Sequence, residues 1–330
     1  MEKHKHIFGV DVSKKTVDIT YAKGEQMLYR QFANDPTGME ELMQWLNELG
    51  LDFAGTLFCM EATGLYCFPL TQFLAGNNID IWIEHAAQIK RATALSRGKN
   101  DKVDSMRIAL YATKNLDRLR IWKPVSTTIE KVKHLASLRE RLVETKKRLA
   151  TPVKEFEAVG NLAMAKLLSK SIKASLCAID KDLKNLENKI IDIVNGDENL
   201  RQLYKLVTSV VGIGFVTATN LIIYTNGFTI LKETRKLACY CGVAPFEYTS
   251  GSSVRGKTKV HYMANKKLKC NLHMASLSAV KLDADLKAYY ERKVAEGKNK
   301  MSVLNAVKNK LLARVVAVVN KQEEYVKKLA

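Results

Sequence analysis

The chain has 330 residues, which is long enough for two or three domains with real hydrophobic cores. Hydrophobic residues make up 47% of it and charged residues 26%, and no apolar run approaches the roughly 18 residues of a membrane span, so composition excludes a membrane protein. The formal net charge of +19 predicts a polyanionic partner, and nucleic acid fits best because the chain carries no amphipathic anchor or lipidation signal.

The N-terminus and the cysteines indicate a protein of the cytoplasm. The first residues lead straight into a predicted strand instead of the apolar segment of a secretion signal, so we expect a cytoplasmic, nucleoid-associated protein. The six cysteines are scattered, which favours reduced, structural thiols. Cys239 and Cys241 form the one close pair in the sequence, and without further ligands that pair is a weak metal signal.

The first predicted elements form a β-hairpin that carries an acidic residue. The apolar run from Ile7 to Val10 is typical of a buried strand and ends on Asp11, and residues 16–21 alternate apolar and polar like a half-buried second strand. A carboxylate in mid-sheet must pair or hold a cation. The alternative is a strand-end acid that caps a loop, and the choice depends on whether other acids arrive nearby.

Strands and helices then alternate, which predicts an α/β sheet. We expect strands over residues 25–33, 56–60 and 79–83, a core-facing helix over 37–49, and a second helix reaching about residue 75. The strand over 56–60 runs into a single acid, Glu61.

A basic segment over residues 88–100 is predicted to be a mobile loop that contacts phosphate through Arg91, Arg97 and Lys99. The helix that follows begins with Asp101 and Asp104, which lie on one face because residues three apart are neighbours on a helix. Alternatively, these acids are ordinary first-turn residues favoured by the helix dipole.

Taken together, the acids predict a metal site. Asp11, Glu61, Asp101 and Asp104 sit at strand ends and a helix start, which converge at one edge of such a sheet. Clustered carboxylates repel unless divalent cations neutralise them, and Mg²⁺ prefers oxygen ligands. Two ions would flank a scissile phosphate. The order and spacing resemble the ribonuclease H and RuvC-like nuclease fold.

Residues 127–195 carry leucine and isoleucine at coiled-coil spacing, with Pro152 and Gly160 between two arms. The segment either folds back as a hairpin or pairs with another subunit. Further on, Gly212-Ile213-Gly214 lies between helical patterns and could present backbone N–H groups to a phosphate, although an ordinary helix turn fits equally well.

The last third of the chain is predicted to be mainly helical, with helices over 234–242 and 271–330. A turn-rich segment over 243–253 separates them. It runs into a basic strip suited to phosphate contacts, with a solvated linker as the alternative. The strip comprises Arg255, Lys257, Lys259, Lys266, Lys267 and Lys269.

With these pieces in place, the chain resembles the DEDD-type transposases of bacterial insertion sequences of the IS110 family. In the first half the resemblance rests on GVDVSKKTVD, MEATGLY and RGKNDKVDSMRIALYA. In the second half it rests on VVGIGFVTATNL, on CGVAPFEYTSGSSVRGK and on MANKKLK. Each motif is modest, but their joint order is specific and covers nearly the whole chain.

The resemblance implies an α/β RuvC-like catalytic domain over residues 1–125, a coiled-coil dimerisation segment over 126–198 and a mainly α C-terminal transposase domain over 199–330. It implies that the acidic tetrad holds Mg²⁺, for which Mn²⁺ can substitute. It also implies a serine nucleophile in a Ser-Gly motif, here Ser250-Gly251, with Ser252 and Ser253 as neighbours that chemistry alone does not exclude. That serine would form a covalent phosphoserine link to DNA.

The implied partners are donor and target DNA, a structured guide noncoding RNA and further copies of the chain as a dimer or tetramer. Two alternatives remain open. One is a metal-dependent nuclease of the Holliday-junction resolvase type, in which water attacks and Ser250 is a loop residue. The other is a non-catalytic nucleic-acid scaffold whose acids are structural.

Overall fold

The structure is a computed structural model that describes residues 4–24, 26–62, 64–92, 100–124, 126–250 and 254–326, and for 247–250, 254, 255 and 257 the backbone alone. It divides into two units, Met1–Pro124 and Val125–Ala330. The division lies beside the domain boundary expected at residue 125.

A five-stranded mixed sheet organises the first unit, in the order β3-β2-β1-β4-β5. The first three strands pair antiparallel, and β4 and β5 join parallel to β1. The predicted hairpin and the predicted strands are therefore confirmed. The strands are β1 (His6–Val12), β2 (Thr16–Lys23), β3 (Gln26–Ala33), β4 (Thr56–Glu61) and β5 (Asp80–Glu84).

Helices cover both faces of this sheet, because its strands are buried on both sides. Helices α1 (Pro36–Glu48) and α2 (Phe68–Gly76) pack on one face around Phe8 and Phe58. On the other face, α3 (Ala86–Ala92) and α4 (Asp101–Lys114) pack around Trp82. This arrangement confirms an α/β first domain.

The prediction of a loop over 88–100 is wrong for its first residues, which belong to α3. Ile89 is buried among these basic residues and packs α3 against the sheet, which the basic composition alone does not predict. Alanines on either side of it favour a helix. Residues 93–99, including Arg97 and Lys99, lie outside the described residues.

The second unit starts with two long helices, α5 (Thr127–Ala158) and α6 (Leu162–Asn195). They pack side by side as a hairpin, joined by ion pairs such as Arg139 with Glu187 at 2.7 Å. Their packing as a coiled coil stays a prediction. Pro152 does not interrupt the arms as predicted, because α5 continues through it. The chain turns at Gly160, whose φ of +80° suits glycine.

Six further helices and a hairpin complete the described part of the second unit. The segment over 243–253, predicted to be turns, contains the strand β6 (Phe246–Ser250), which pairs with β7 (Val254–Lys259). Pro245 before this strand and Gly251-Ser252-Ser253 after it suggested turns, although Phe246 and Tyr248 alternate with polar residues as in a strand. The helices are α7 (Glu198–Ser209), α8 (Phe215–Tyr224), α9 (Thr234–Tyr240), α10 (Lys266–Leu282), α11 (Ala284–Ala295) and α12 (Lys300–Lys321).

One core joins the C-terminal helices to the open ends of α5 and α6. Ile129 and Ile190 of these long helices belong to the same buried cluster as Leu272 and Leu311. The open end of the α5–α6 hairpin thus packs into the same core as the C-terminal helices. Among the described residues, none of the helices combines the length and the apolar composition that a membrane span requires.

Candidate active site

Two of the four predicted acids lie side by side on the sheet. The parallel register of β1 and β4 ends with Val10 opposite Met60, and the next residues along the two strands are Asp11 and Glu61. Both carboxylates are half-buried. Their side chains lie on the face that α4 covers, because Gly9, two residues before Asp11, touches that helix.

Close packing of α4 brings the other two acids to the same edge. A Cβ at Gly9 would lie 2.1 Å from the backbone nitrogen of Ala109, so only glycine permits this approach. The hydroxyls of Thr20 and Ser105, 2.7 Å apart, tie the helix to β2. The Asn100 side chain accepts a hydrogen bond from the Val103 N–H and caps the helix, which places Asp101 and Asp104 in its first turn.

The electrostatics show that these acids interact. The pKa of Asp11 is raised from its usual 3.8 to about 6, first by burial and then by the negative charges of Asp104, Asp101, Asp18 and Glu61. Each of these charges disfavours ionisation of Asp11. The other three predicted acids therefore lie within electrostatic reach of Asp11 at one edge of the sheet.

Asp104 has a cationic partner within its own helix. Its Oδ1 accepts a hydrogen bond from the Arg107 guanidinium at 2.8 Å. This contact supports the structural interpretation of Asp104 as a first-turn acid.

The donor atoms suit a hard divalent cation, since all four side chains offer carboxylate oxygens. The carboxylates nevertheless stand apart, because no three His, Cys, Asp or Glu side chains among the described residues could hold one metal ion as they are placed. The carboxylates are close enough for their charges to act on Asp11 but too far apart to bind one ion together, because charges act over a longer range than metal–ligand bonds.

Sequence reasoning missed a fifth acid, Asp18. It is the direct partner of Asp11 across the antiparallel β1–β2 pair, and it is 1% exposed. Its Oδ1 accepts hydrogen bonds from the Tyr29 hydroxyl at 2.5 Å and the Gln31 amide at 3.0 Å. The alternating pattern of β2 placed Asp18 on the polar side of a half-buried strand. Counting residues across the turn would have paired it with Asp11.

The predicted nucleophile lies in the second unit. Ser250 is the last residue of β6, where it pairs with Val254 in the hairpin. The structure describes its backbone alone, and Gly251, Ser252 and Ser253 lie outside the described residues.

The basic residues predicted to contact phosphate have varied surroundings. Arg91 is exposed on α3, and Lys259 and Lys266 are exposed near the hairpin. Lys267 instead forms an ion pair with Glu140 at 2.5 Å, and Lys269 is half-buried. The backbones of Arg255 and Lys257 lie in β7, and their side chains are not described.

The Gly212-Ile213-Gly214 loop joins α7 to α8, as predicted for a hairpin between helices. Gly212 has a φ of +94°, and a Cβ there would lie 2.7 Å from the carbonyl oxygen of Ala275. Packing against α10 therefore accounts for Gly212, whereas Gly214 has open space around it.

Comparisons with known proteins agree with this architecture. Residues 8–156 match the family model of the IS110-type DEDD transposases, described as a transposase, and residues 204–291 match the transposase IS116/IS110/IS902 family. The pilin gene-inverting protein of Moraxella bovis is 24% identical over 98% of this chain and 99% of its own length. The transposase for insertion sequence element IS1111A of Coxiella burnetii is 22% identical over 69% of this chain and 68% of its own.

The chain is therefore a DNA transposase or recombinase, an enzyme that acts on DNA. Its first unit is a mixed α/β fold with an acidic edge, and its second unit is mostly helical. The two family models together cover more than half of the sequence. The chain belongs to the IS110 family of transposases.

Proposed function

We propose that this enzyme cuts and rejoins donor and target DNA with a divalent-cation site formed by Asp11, Glu61, Asp101 and Asp104. The observation that carries the proposal is the pKa of Asp11, raised to about 6 by burial and by the charges of neighbouring acids. A protein that gathers like charges without neutralising them loses stability, so a cation is the expected counterpart. The mixed sheet with acids at one edge also supports a RuvC-like first domain.

The residues of this site have separate tasks. Asp11 and Glu61, held by adjacent parallel strands, form the rigid part of the ligand set. Asp101 and Asp104 stand on a helix whose first turn favours negative charge. Mg²⁺, or Mn²⁺ in its place, would polarise a DNA phosphate and stabilise charge on its oxygens.

Ser250 would supply the nucleophile. Its oxygen would form a bond to phosphorus while the bond from phosphorus to one sugar oxygen breaks, and that sugar oxygen leaves as a hydroxyl with the serine proton. The resulting phosphoserine link keeps a phosphoester bond for rejoining. Attack of a different DNA hydroxyl on the phosphorus of this link would release the serine hydroxyl and complete strand exchange.

The proposed partners follow from charge and from the relatives. A net charge of +19 suits a protein that binds two DNA segments together with a structured guide RNA. The name of the Moraxella bovis relative describes inversion of a pilin gene, a reaction that also requires DNA strands to be cut and rejoined. Because the tetrad and Ser250 belong to different units, we propose that a homo-oligomer assembles each complete site.

The test is recovery of the covalent intermediate. The protein is expressed from a plasmid that carries its gene with the flanking DNA, and protein–DNA adducts are recovered under denaturing conditions. We expect an adduct with the wild type and the S252A control, and a loss of at least about 100-fold in S250A, because the alanine has no hydroxyl to attack.

The competing functions give different results. Strand cleavage that persists in S250A without an adduct would indicate attack by water, as in a resolvase-type nuclease. Nucleic-acid binding without cleavage at any Mg²⁺ concentration would indicate a scaffold. Loss of cleavage in D11N, with nucleic-acid binding retained, is the result expected of the proposed cation site.

A further inference from the structure

The environment of Asp18 is unusual for a carboxylate. Asp18 is 1% exposed, and its buried Oδ2 has no hydrogen-bond partner within the described part of the chain. A buried carboxylate oxygen without a partner is costly, because it has lost water without gaining a replacement. A purely structural acid at this position would be expected to have both oxygens satisfied.

Asp18 lies next to Asp11 on the same face of the sheet. Asp18 and Asp11 are direct partners in the antiparallel pair of β1 and β2, so their side chains lie on the same face with Cβ atoms about 5 Å apart. That face is the one covered by α4, since Thr20, two residues along β2, bonds to Ser105 of that helix. Asp18 therefore lies beside the proposed cation site, on the side away from Glu61.

The remaining oxygen of Asp18 is held firmly. Oδ1 accepts hydrogen bonds from Tyr29 and Gln31, both on β3, at 2.5 Å and 3.0 Å. Gln31 is the direct register partner of Asp18, and Tyr29 is the partner of Thr20. Two donors on one oxygen fix the orientation of the carboxylate and leave the other oxygen available. This is how proteins orient the acids that hold or surround a metal ion.

We propose that Asp18 is a fifth acidic residue of the cation site, where its Oδ2 meets the bound divalent cation or a water molecule that the cation holds. Tyr29 and Gln31 act as positioning residues through Asp18. The inference rests on the proposed function, because it assigns a further side chain to the same site. It extends the acidic edge from β4 and β1 to β2.

The test measures cation binding directly. Full-length protein, freed of nucleic acid in high salt, is titrated with Mn²⁺, and free Mn²⁺ is followed by its electron paramagnetic resonance signal. The D18N variant keeps an acceptor oxygen for Tyr29 and Gln31 but removes the charge. We expect its half-saturating Mn²⁺ concentration to rise about 10- to 100-fold, as for other residues that support metal ligands.

Glu84 offers a matched control. It lies at the end of β5 opposite Glu61, is half-buried, and accepts a hydrogen bond from Tyr111 at 3.1 Å. It is not among the acids that act on Asp11. E84Q removes one negative charge from the same sheet, and we expect its Mn²⁺ midpoint to stay within about twofold of the wild type, because Glu84 already accepts hydrogen bonds from Tyr111 and the His85 N–H and does not act on Asp11.

The outcomes separate this inference from the proposed function. If D11N abolishes Mn²⁺ binding and D18N binds like the wild type, Asp18 is structural and the inference is wrong. If D11N also binds like the wild type, the proposed cation site itself is wrong. Should D18N fail to fold, Y29F removes one positioning donor and keeps the charge: a midpoint raised several-fold supports the inference, and an unchanged midpoint overturns it.

Discussion

At the scale of single residues, the behaviour of Asp11 follows from its neighbours. It is half-buried on β1, and burial together with four nearby acids raises its pKa to about 6. The folded state thus holds the Asp11 proton more tightly than the unfolded state does. The free energy of unfolding therefore falls as pH rises from about 4 to 6. Above that window, the contribution of Asp11 to the free energy of unfolding stays constant.

Asp11→Asn tests, in the metal-free protein, whether the charge of Asp11 lowers the free energy of unfolding. We expect D11N to be more stable than the wild type at pH 7 by about 1–2 kcal/mol, a value discounted for the partial exposure of the carboxylate, and equal to it near pH 3.5. All three tryptophans lie in the first unit, so their fluorescence during denaturant unfolding reports on that unit alone. A D11N protein less stable than the wild type at pH 7 would show that the charge of Asp11 is already compensated.

At the scale of secondary structure, the contact between α4 and β1 determines where two of the acids lie. Gly9 lets the helix backbone touch the strand, and the Thr20–Ser105 hydrogen bond secures it against β2. The Asn100 cap then sets the residue at which the helix begins. A shift of this helix would carry Asp101 and Asp104 away from the sheet acids.

Gly9→Ala is the corresponding prediction. The added Cβ would lie 2.1 Å and 2.3 Å from backbone atoms of Ala109 and Ser105, which cannot yield as a flexible side chain does. We expect the first unit to lose about 3 kcal/mol or more, measured by tryptophan fluorescence in denaturant. Gly76→Ala, at the end of α2 with open space around it, is the control and should be neutral or stabilising by up to about 1 kcal/mol. A G9A protein as stable as that control would mean that α4 does not need this close approach.

At the scale of the whole molecule, the chain keeps its acidic edge and its Ser-Gly motif in separate units. The division has a functional consequence in the proposed mechanism, because cutting then depends on assembly. An enzyme that cuts DNA only after its subunits and nucleic acids have come together avoids unpaired breaks.

Mixing inactive variants tests whether subunits share sites. D11N and S250A are each expected to give no adduct, but their co-expression should restore adduct formation if one subunit supplies the acids and another the serine. D11N with E61Q is the control, since both changes affect the first unit and no pairing supplies an intact acidic edge. Restoration in neither mixture would indicate that each site is completed within one chain.

Much of this architecture could be predicted from local sequence patterns. The strands of the sheet, the helix that begins at Asp101 and the four acids at strand ends and a helix start were all readable, because side-chain periodicity and helix caps depend on neighbouring residues. The same approach failed for α3, where basic residues suggested a loop, and for β6, where the flanking proline, glycine and serines suggested turns.

By itself, the sequence determined the class of the first domain, the family and the set of candidate acids. The tertiary structure decided which of those acids interact, that Arg107 pairs with Asp104, and that Asp18 lies buried opposite Asp11 with one oxygen unpartnered. The physical reason is that burial and strand register arise from pairing between distant segments. The alternation in residues 16–21 shows which side chains share a face with Asp18, but only packing of α4 on that face buries the carboxylate beside Asp11.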